Sequence, residues 1–395
     1  MQGGSTHQTS TTTRGGTSGR GGASASGGTT APSSTGPVVA AGGAAPCENG
    51  FTLLAQTPQP QSDRPYYVRL DDFDRDGLLD MAATAQPNST VRTYRGDGHA
   101  HFSALEQFIV PDFAAIVDSA DLDGDGLAEL FVSTHESTQL SVLWNLGGGR
   151  FVPAVEYTLE RSPYAIVHGD LNRDGRMDIV VGHDTTSGTY EVGLGTGTGT
   201  FEFQSKGGLG VRVCGLTLAD LDGDEILDLV AANLYSANLS VLLGNGTGSF
   251  DEMLPVYQIA NGGPVDLKAA DFDRDGRVDL AVADWQRDAV FVLRGDGKGG
   301  FSSSTTYAVG ADPRSVVIDD FDGNGTFDIA TGAFGSPMLT LLLGRGDGTF
   351  VTRTFDVASG VYFIASGDVN SDGRPDLVLV EPNANQIQIM LNTCS

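Results

Sequence analysis

Seven short segments carry oxygen-bearing side chains at one recurring spacing. They read DFDRDGLLD from Asp72, DLDGDGLAE from Asp121, DLNRDGRMD from Asp170, DLDGDEILD from Asp220, DFDRDGRVD from Asp271, DFDGNGTFD from Asp320 and DVNSDGRPD from Asp368. Acids or Asn stand at positions 1, 3, 5 and 9, with Gly at position 6 in all but the fourth loop. Such spacing points several hard oxygens at one centre, which is cation chemistry. Ca²⁺ takes six to eight oxygens, whereas Mg²⁺ demands compact octahedral sites and keeps its waters. Calcium is therefore the expected ion, one per loop and up to seven in all.

The expected ligands are Asp72, Asp74, Asp76, Leu78 and Asp80; Asp121, Asp123, Asp125, Leu127 and Glu129; Asp170, Asn172, Asp174, Arg176 and Asp178; Asp220, Asp222, Asp224, Ile226 and Asp228; Asp271, Asp273, Asp275, Arg277 and Asp279; Asp320, Asp322, Asn324, Thr326 and Asp328; and Asp368, Asn370, Asp372, Arg374 and Asp376. The seventh residue of each loop enters through its backbone carbonyl. An EF-hand shares the first six positions but needs a Glu at position 12 and flanking helices, and neither is present. Any single loop also reads as an Asp-rich turn without metal. In the seven together, positions 1, 3, 5 and 9 hold 25 of the chain's 50 acids, a concentration that repels itself without a cation. Glu225 replaces the usual Gly in the fourth loop, where a strained or differently shaped turn is expected.

The chain's net charge of −27 argues against a nucleic-acid partner. No apolar run approaches the ~18 residues that a membrane-spanning helix needs. Residues 1–46 are rich in Gly, Ser, Thr and Ala and read as a disordered linker. No export signal is legible at Met1.

The loops start 49, 49, 50, 51, 49 and 48 residues apart, so the chain is a repeat array. Each loop is followed by a short β-branched segment, such as DIVVG from Asp178, and then by a second one ending in a Gly-rich turn closed by Phe, as in LSVLLGNGTGSF. These are strands and hairpins. About four strands per repeat predict an all-β, seven-bladed propeller over residues 47–395. The last repeat stops before its Gly-Phe turn, and the segment around Phe51 supplies what is missing, so an N-terminal strand is expected to complete the seventh blade. That closure would bring Cys47 and Cys394 together, and a disulfide between them would fasten the seam.

These loops and Gly-Phe turns closely resemble the FG-GAP or VCBS repeat family, which includes the propeller of integrin α chains and many bacterial surface proteins. The resemblance implies a seven-bladed propeller, calcium in the loops and an extracellular or cell-surface setting. Adhesion and glycan binding are common uses in the family. The expectation is a monomeric, non-enzymatic binding module whose partner is a protein or a glycan.

Because strands alternate direction, the Asp loops and Gly turns fall on one face, and contacts with a partner belong on the other. There the sequence places His135, His183, Asp184, Asn233, Tyr235, Asp284, Trp285, Phe334 and Glu381. Tyr235, Trp285 and Phe334 come from successive blades and would form a stacking platform; the alternative is that they pack between blades. An enzyme of the carbohydrate-cleaving kind would draw on His135, His183, Asp184 and Asp284. GDGKGG from Gly295 and GTGTGT from Gly195 are hairpin turns, since no helix follows to hold a phosphate.

Overall fold

The computed structural model describes residues 53–55, 59–60, 64–86, 88–111 and 113–393. The expected linker and the expected Cys47–Cys394 bond lie outside the described residues. Seven antiparallel sheets follow one another, with no α-helix among the described residues. Blade 1 is Arg64–Asp71, Asp80–Gln86, Thr90–Gly96 and Phe102–Ile109, and blades 2 to 6 repeat that order from Ala114, Pro163, Val213, Pro264 and Pro313. Blade 7 takes Phe363–Gly367, Asp376–Glu381 and Gln386–Asn392 from the C-terminal end and Leu53–Ala55 from the N-terminal end, with Leu53 opposite Asn392. The ring closes as the sequence predicts.

Burial explains the composition of each strand. Second strands such as DLVAAN and DLAVAD are buried throughout, because blades press on both their faces, and a strand covered on both sides reads as a continuous apolar run. Fourth strands such as FSSSTTYA are outermost and almost wholly exposed. Between blades, Val230, Leu267, Leu280 and Val282 form one of seven apolar seams, and each such side chain contributes roughly 1.5–3 kcal/mol.

First strands from all seven blades line a central channel. Its wall carries charged groups: Arg69 lies 3.1 Å from Asp118, His168 Nδ1 lies 3.2 Å from the same carboxylate, and Lys268 in the fifth blade lies 3.2 Å from Asp266. Burial pushes the Asp118 carboxyl up, but the Arg69 and His168 charges outweigh it and hold it at about 2.

Candidate metal loops and the opposite aromatic collar

Two hydrogen bonds recur in every Asp loop, from the N–H of position 6 to the first Asp and from the N–H of position 7 to the position 5 side chain. In the first loop the backbone N–H groups of Asp76 and Gly77 donate to Asp72 at 3.1 and 2.9 Å, and the Leu78 N–H donates to Asp76 at 3.0 Å. The ninth residue ties the loop to its hairpin. Asp279 accepts from the Phe272 N–H at 3.1 Å with one oxygen and from the Gly295 N–H at 2.8 Å with the other. Gly is required at that second donor because a Cβ on Gly295 would lie 2.1 Å from the Val278 carbonyl oxygen. Asn145 and Asn392 fill the place in blades 2 and 7, where their side chains reach the preceding blade at Phe73 O and Phe321 O.

The structure brings positions 1, 3 and 9 tightly together. Their carboxylate oxygens lie within 4.8 Å of one another in the first, second, fourth, fifth and sixth loops, about the widest spacing two oxygens can have across one Ca²⁺. In the third and seventh loops Asn172 and Asn370 stand at position 3, and their Oδ1 atoms accept the position 5 N–H at 3.0 Å as Asp does in the first, second, fourth and sixth loops.

Position 5 stands apart from this cluster. Its carboxylate pairs with arginine in four loops, Asp76 with Arg95, Asp174 with Arg176, Asp275 with Arg277 and Asp372 with Arg374. Position 3 is paired in the same way in two loops, Asp74 with Arg95 at 2.7 Å and Asp273 with Arg294 at 3.2 Å, so arginine pairing alone does not take position 5 out of the donor set.

Two observations fit a cation at these centres. Glu129 is buried, and its Oε1 makes no close hydrogen bond; Asp273 Oδ1 likewise lacks one, although Arg294 lies 3.2 Å from its Oδ2. A buried carboxylate oxygen lacking a donor is costly unless a cation compensates it. Burial also lifts the ninth-position carboxyl in every blade: to about 7 for Asp80, Glu129 and Asp376, about 6 for Asp178, Asp228 and Asp279, and about 8 for Asp328. Neighbouring loop acids add to the rise while backbone N–H donors oppose it.

Glu225 does not reshape the fourth loop. Its N–H donates to Asp220 at 2.8 Å as the Gly N–H does elsewhere, and the turn is kept by left-handed backbone at φ 65°. That conformation costs an ordinary residue roughly 1–2 kcal/mol. The exposed Glu225 side chain has no packing to lose, so Glu225→Gly is expected to stabilise the ring by about 1 kcal/mol. A denaturant melt of the two proteins checks this, and an unchanged midpoint would show that the strain is absent.

On the opposite face the expected ligand residues divide. His183, Asn233, Asp284 and Glu381 are fully buried. His183 lies 3.0 Å from Thr189 Oγ1 and 3.2 Å from Glu191, and Asn233 donates to Asn238 and Ser240. Asp284 accepts the Gly263, Gln286 and Arg287 N–H groups, and Glu381 accepts from Ser359 and Gln386. These four residues tie off loops and are closed to a ligand, a correction to the reading from sequence.

The residues after them do emerge, but they join a collar that sequence reading missed. Phe334 meets Tyr362 edge-on at 5.4 Å, Tyr362 packs on Tyr66 at 4.2 Å, and Tyr66 meets His135 at 6.2 Å. His135 stacks on Tyr164 at 4.2 Å, and the Arg212 guanidinium then sits 5.0 Å from the Tyr164 ring and 5.1 Å from the Tyr235 ring. Asp184 lies 3.6 Å from Arg212 Nε. Trp285 lies under Arg314 at 4.9 Å. Tyr235, Trp285 and Phe334 thus each stack on a different partner, and no shared three-ring platform forms from them. Tyr66, Tyr164, Arg314 and Tyr362 all stand six residues before the first Asp of their loops, a shared register that would have revealed the collar.

Burial, with a smaller contribution from Arg212, lowers the His135 pKa to about 4. The unfolded chain takes up this proton near pH 6.5 and the folded one only near 4. Stability from the neutral ring is therefore complete above about pH 6.5 and is lost as pH falls towards 4. His135→Phe, which keeps a ring in the stack, is expected to flatten the decline in melting temperature between pH 7 and 4; an equal decline in both proteins would contradict it.

The FG-GAP-like repeat family model matches residues 72–132, 121–181, 170–231, 220–282 and 271–331. No curated protein is significantly similar in sequence. Solved structures share the fold at low identity. An Agrocybe aegerita lectin that recognises non-reducing terminal N-acetylglucosamine is 18% identical, with TM-score 0.53, 82% of this chain and 86% of that one covered. BBS1N, in complex with ARL6DN, is 12% identical with TM-score 0.62, covering 87% and 97%. Virginiamycin B lyase from Staphylococcus aureus is 14% identical with TM-score 0.57, covering 86% and 99%. With these five consecutive matches spanning the same loops that tie each blade together, the chain belongs to the FG-GAP-like repeat family.

Proposed function

We propose that this propeller is a calcium-stiffened, non-enzymatic binding module of the extracellular space or cell surface, and that a protein or glycan ligand docks on the aromatic collar. The collar carries the reading. Rings from blades 6, 7, 1, 2, 3 and 4 gather at one end of the molecule, away from the Asp loops, and Tyr235 is left 63% exposed beside the Arg212 guanidinium. Exposed aromatic and arginine groups together are what binding hot spots are made of. Calcium would be held by positions 1, 3 and 9 of each loop with the carbonyl of position 7, and it would fix the loops without touching the ligand. Extracellular calcium modules work in the range of about 10⁻⁴–10⁻³ M, which suits loops as exposed as these.

Probing the full chain on a glycan array and on a panel of extracellular-matrix proteins, alongside Tyr235→Ala and Trp285→Ala, tests the reading. Binding weakened at least tenfold by either variant, at unchanged melting temperature, supports the collar, and the array's response separates glycan from protein. Binding that survives both substitutions would move the site elsewhere.

A further inference from the structure

The fourth position of the loops carries a second pattern. Its backbone is left-handed in all seven: Arg75, Arg173, Arg274 and Ser371 at φ 59–61°, and Gly124, Gly223 and Gly323 at φ 70–85°. Blades 2, 4 and 6 therefore use the residue this conformation favours, whereas blades 1, 3 and 5 place an arginine in it despite the strain.

Each of these arginines reaches into the next blade's loop. Arg75 donates to the Gly126 carbonyl at 2.8 Å and the Asp125 carbonyl at 3.0 Å. Arg173 donates to the Asp224 carbonyl at 3.2 Å, and Arg274 to the Gly325 carbonyl. The receiving carbonyls belong to positions 5 and 6, on the turn that aims the ligand-bearing side chains of the second, fourth and sixth loops. Gly at position 4 of those loops provides no such arm towards blades 3, 5 and 7.

We propose that these arginines couple the loops in pairs, 1 with 2, 3 with 4 and 5 with 6, so that calcium entering the odd loop raises the affinity of the even one, while the seventh loop fills independently. This rests on the calcium reading above, for which the unpartnered, buried Glu129 oxygen in the second loop is the independent sign. The argument is one of ordering. An ion held by position 3 and neighbouring ligands pins the peptide between positions 3 and 5, and with it the base of the arginine. The guanidinium then holds the neighbouring turn in its ligand-bearing shape, and less conformational freedom is left to lose when the second ion binds. The arginine's own charge is present before and after the first ion enters, so it lowers the even loop's affinity without deciding the coupling.

Hydrogen exchange of the full chain across a calcium titration resolves the loops one by one, with Arg75→Gly as the key variant. Gly suits the backbone at that position and is the residue the even blades use, so the variant is expected to fold; its thermal melt verifies this. In the wild type the first and second loops should gain protection at matching free calcium. In Arg75→Gly the lost hold on the turn should outweigh the relief of the guanidinium's charge, so that the second loop's midpoint rises several-fold while the third to sixth loops stay as they were, and Arg173→Gly should do the same to the fourth loop alone. An unmoved second-loop midpoint, or wild-type pairs protected at unrelated concentrations, overturns the coupling while leaving calcium in place. No protection of any loop at saturating calcium overturns the calcium reading and the coupling with it.

Discussion

Chelating calcium from the folded ring is expected to lower its melting temperature by tens of degrees. An ion that binds only the native state stabilises it by about 2.7 kcal/mol per site at a hundredfold excess over its dissociation constant. Unfolding releases roughly 2.1 cal/mol/K per residue, so in a ring of about 340 residues each filled site is worth about 4 °C and seven together some 25 °C. The paired and unpaired loops need not contribute equally, and the fourth, with its strained Glu225, should contribute least. Metal content per chain after exhaustive dialysis, with melts in calcium and in chelator, measures both quantities. Close to seven ions and a large shift would establish the metal ring. No bound ion and superimposable melts would reduce the Asp loops to turns.

Asp279→Ala is expected to be among the most damaging single substitutions in the loops, costing about 4 kcal/mol even in chelator. The Phe272 and Gly295 N–H groups both donate to this buried carboxylate, and each buried donor left without an acceptor costs about 1–3 kcal/mol. The contrast is Asp275→Ala four residues earlier. Its exposed carboxylate pairs with Arg277 and accepts the Arg277 N–H at 2.9 Å, contacts that water can replace, so the loss is about 1 kcal/mol. Denaturant unfolding in chelator separates the two. Similar losses from both would mean that position 9 does not bridge loop and hairpin in the way its hydrogen bonds indicate.

The Asp loops, the four-stranded repeat and the closing N-terminal strand were legible from sequence because each is local: nine residues specify a loop, and about fifty specify a blade. What was hidden depends on side-chain direction at strand ends and on register between blades. His183 and Asp284 look like ligand-face residues in a linear reading, yet both are fully buried, His183 beside Thr189 and Glu191 and Asp284 on the N–H groups of Gly263, Gln286 and Arg287. Tyr66, Tyr164 and Tyr362 lie about 98 and 198 residues apart in the chain, and only the ring brings them to one mouth. The arginines at position 4 were visible as letters, but their reach across a blade boundary was not. Their alternation with Gly was the available signal, since a long side chain where Gly would serve needs a reason.

The seventh blade also determines how the molecule carries load. Leu53 lies opposite Asn392, Leu54 opposite Leu391 and Ala55 opposite Met390, so the chain running back from Leu53 and the chain running on from Asn392 leave from the same end of the ladder. Tension between them acts across the strand pair and opens its bridges one after another, as in a zipper, instead of shearing them all at once. Stretching single molecules by these two ends, with any Cys47–Cys394 bond reduced, should therefore show a small, low-force first event at this seam, with six blades still intact behind it. A ring whose closing strand were threaded in the other direction would resist until a whole blade gave way.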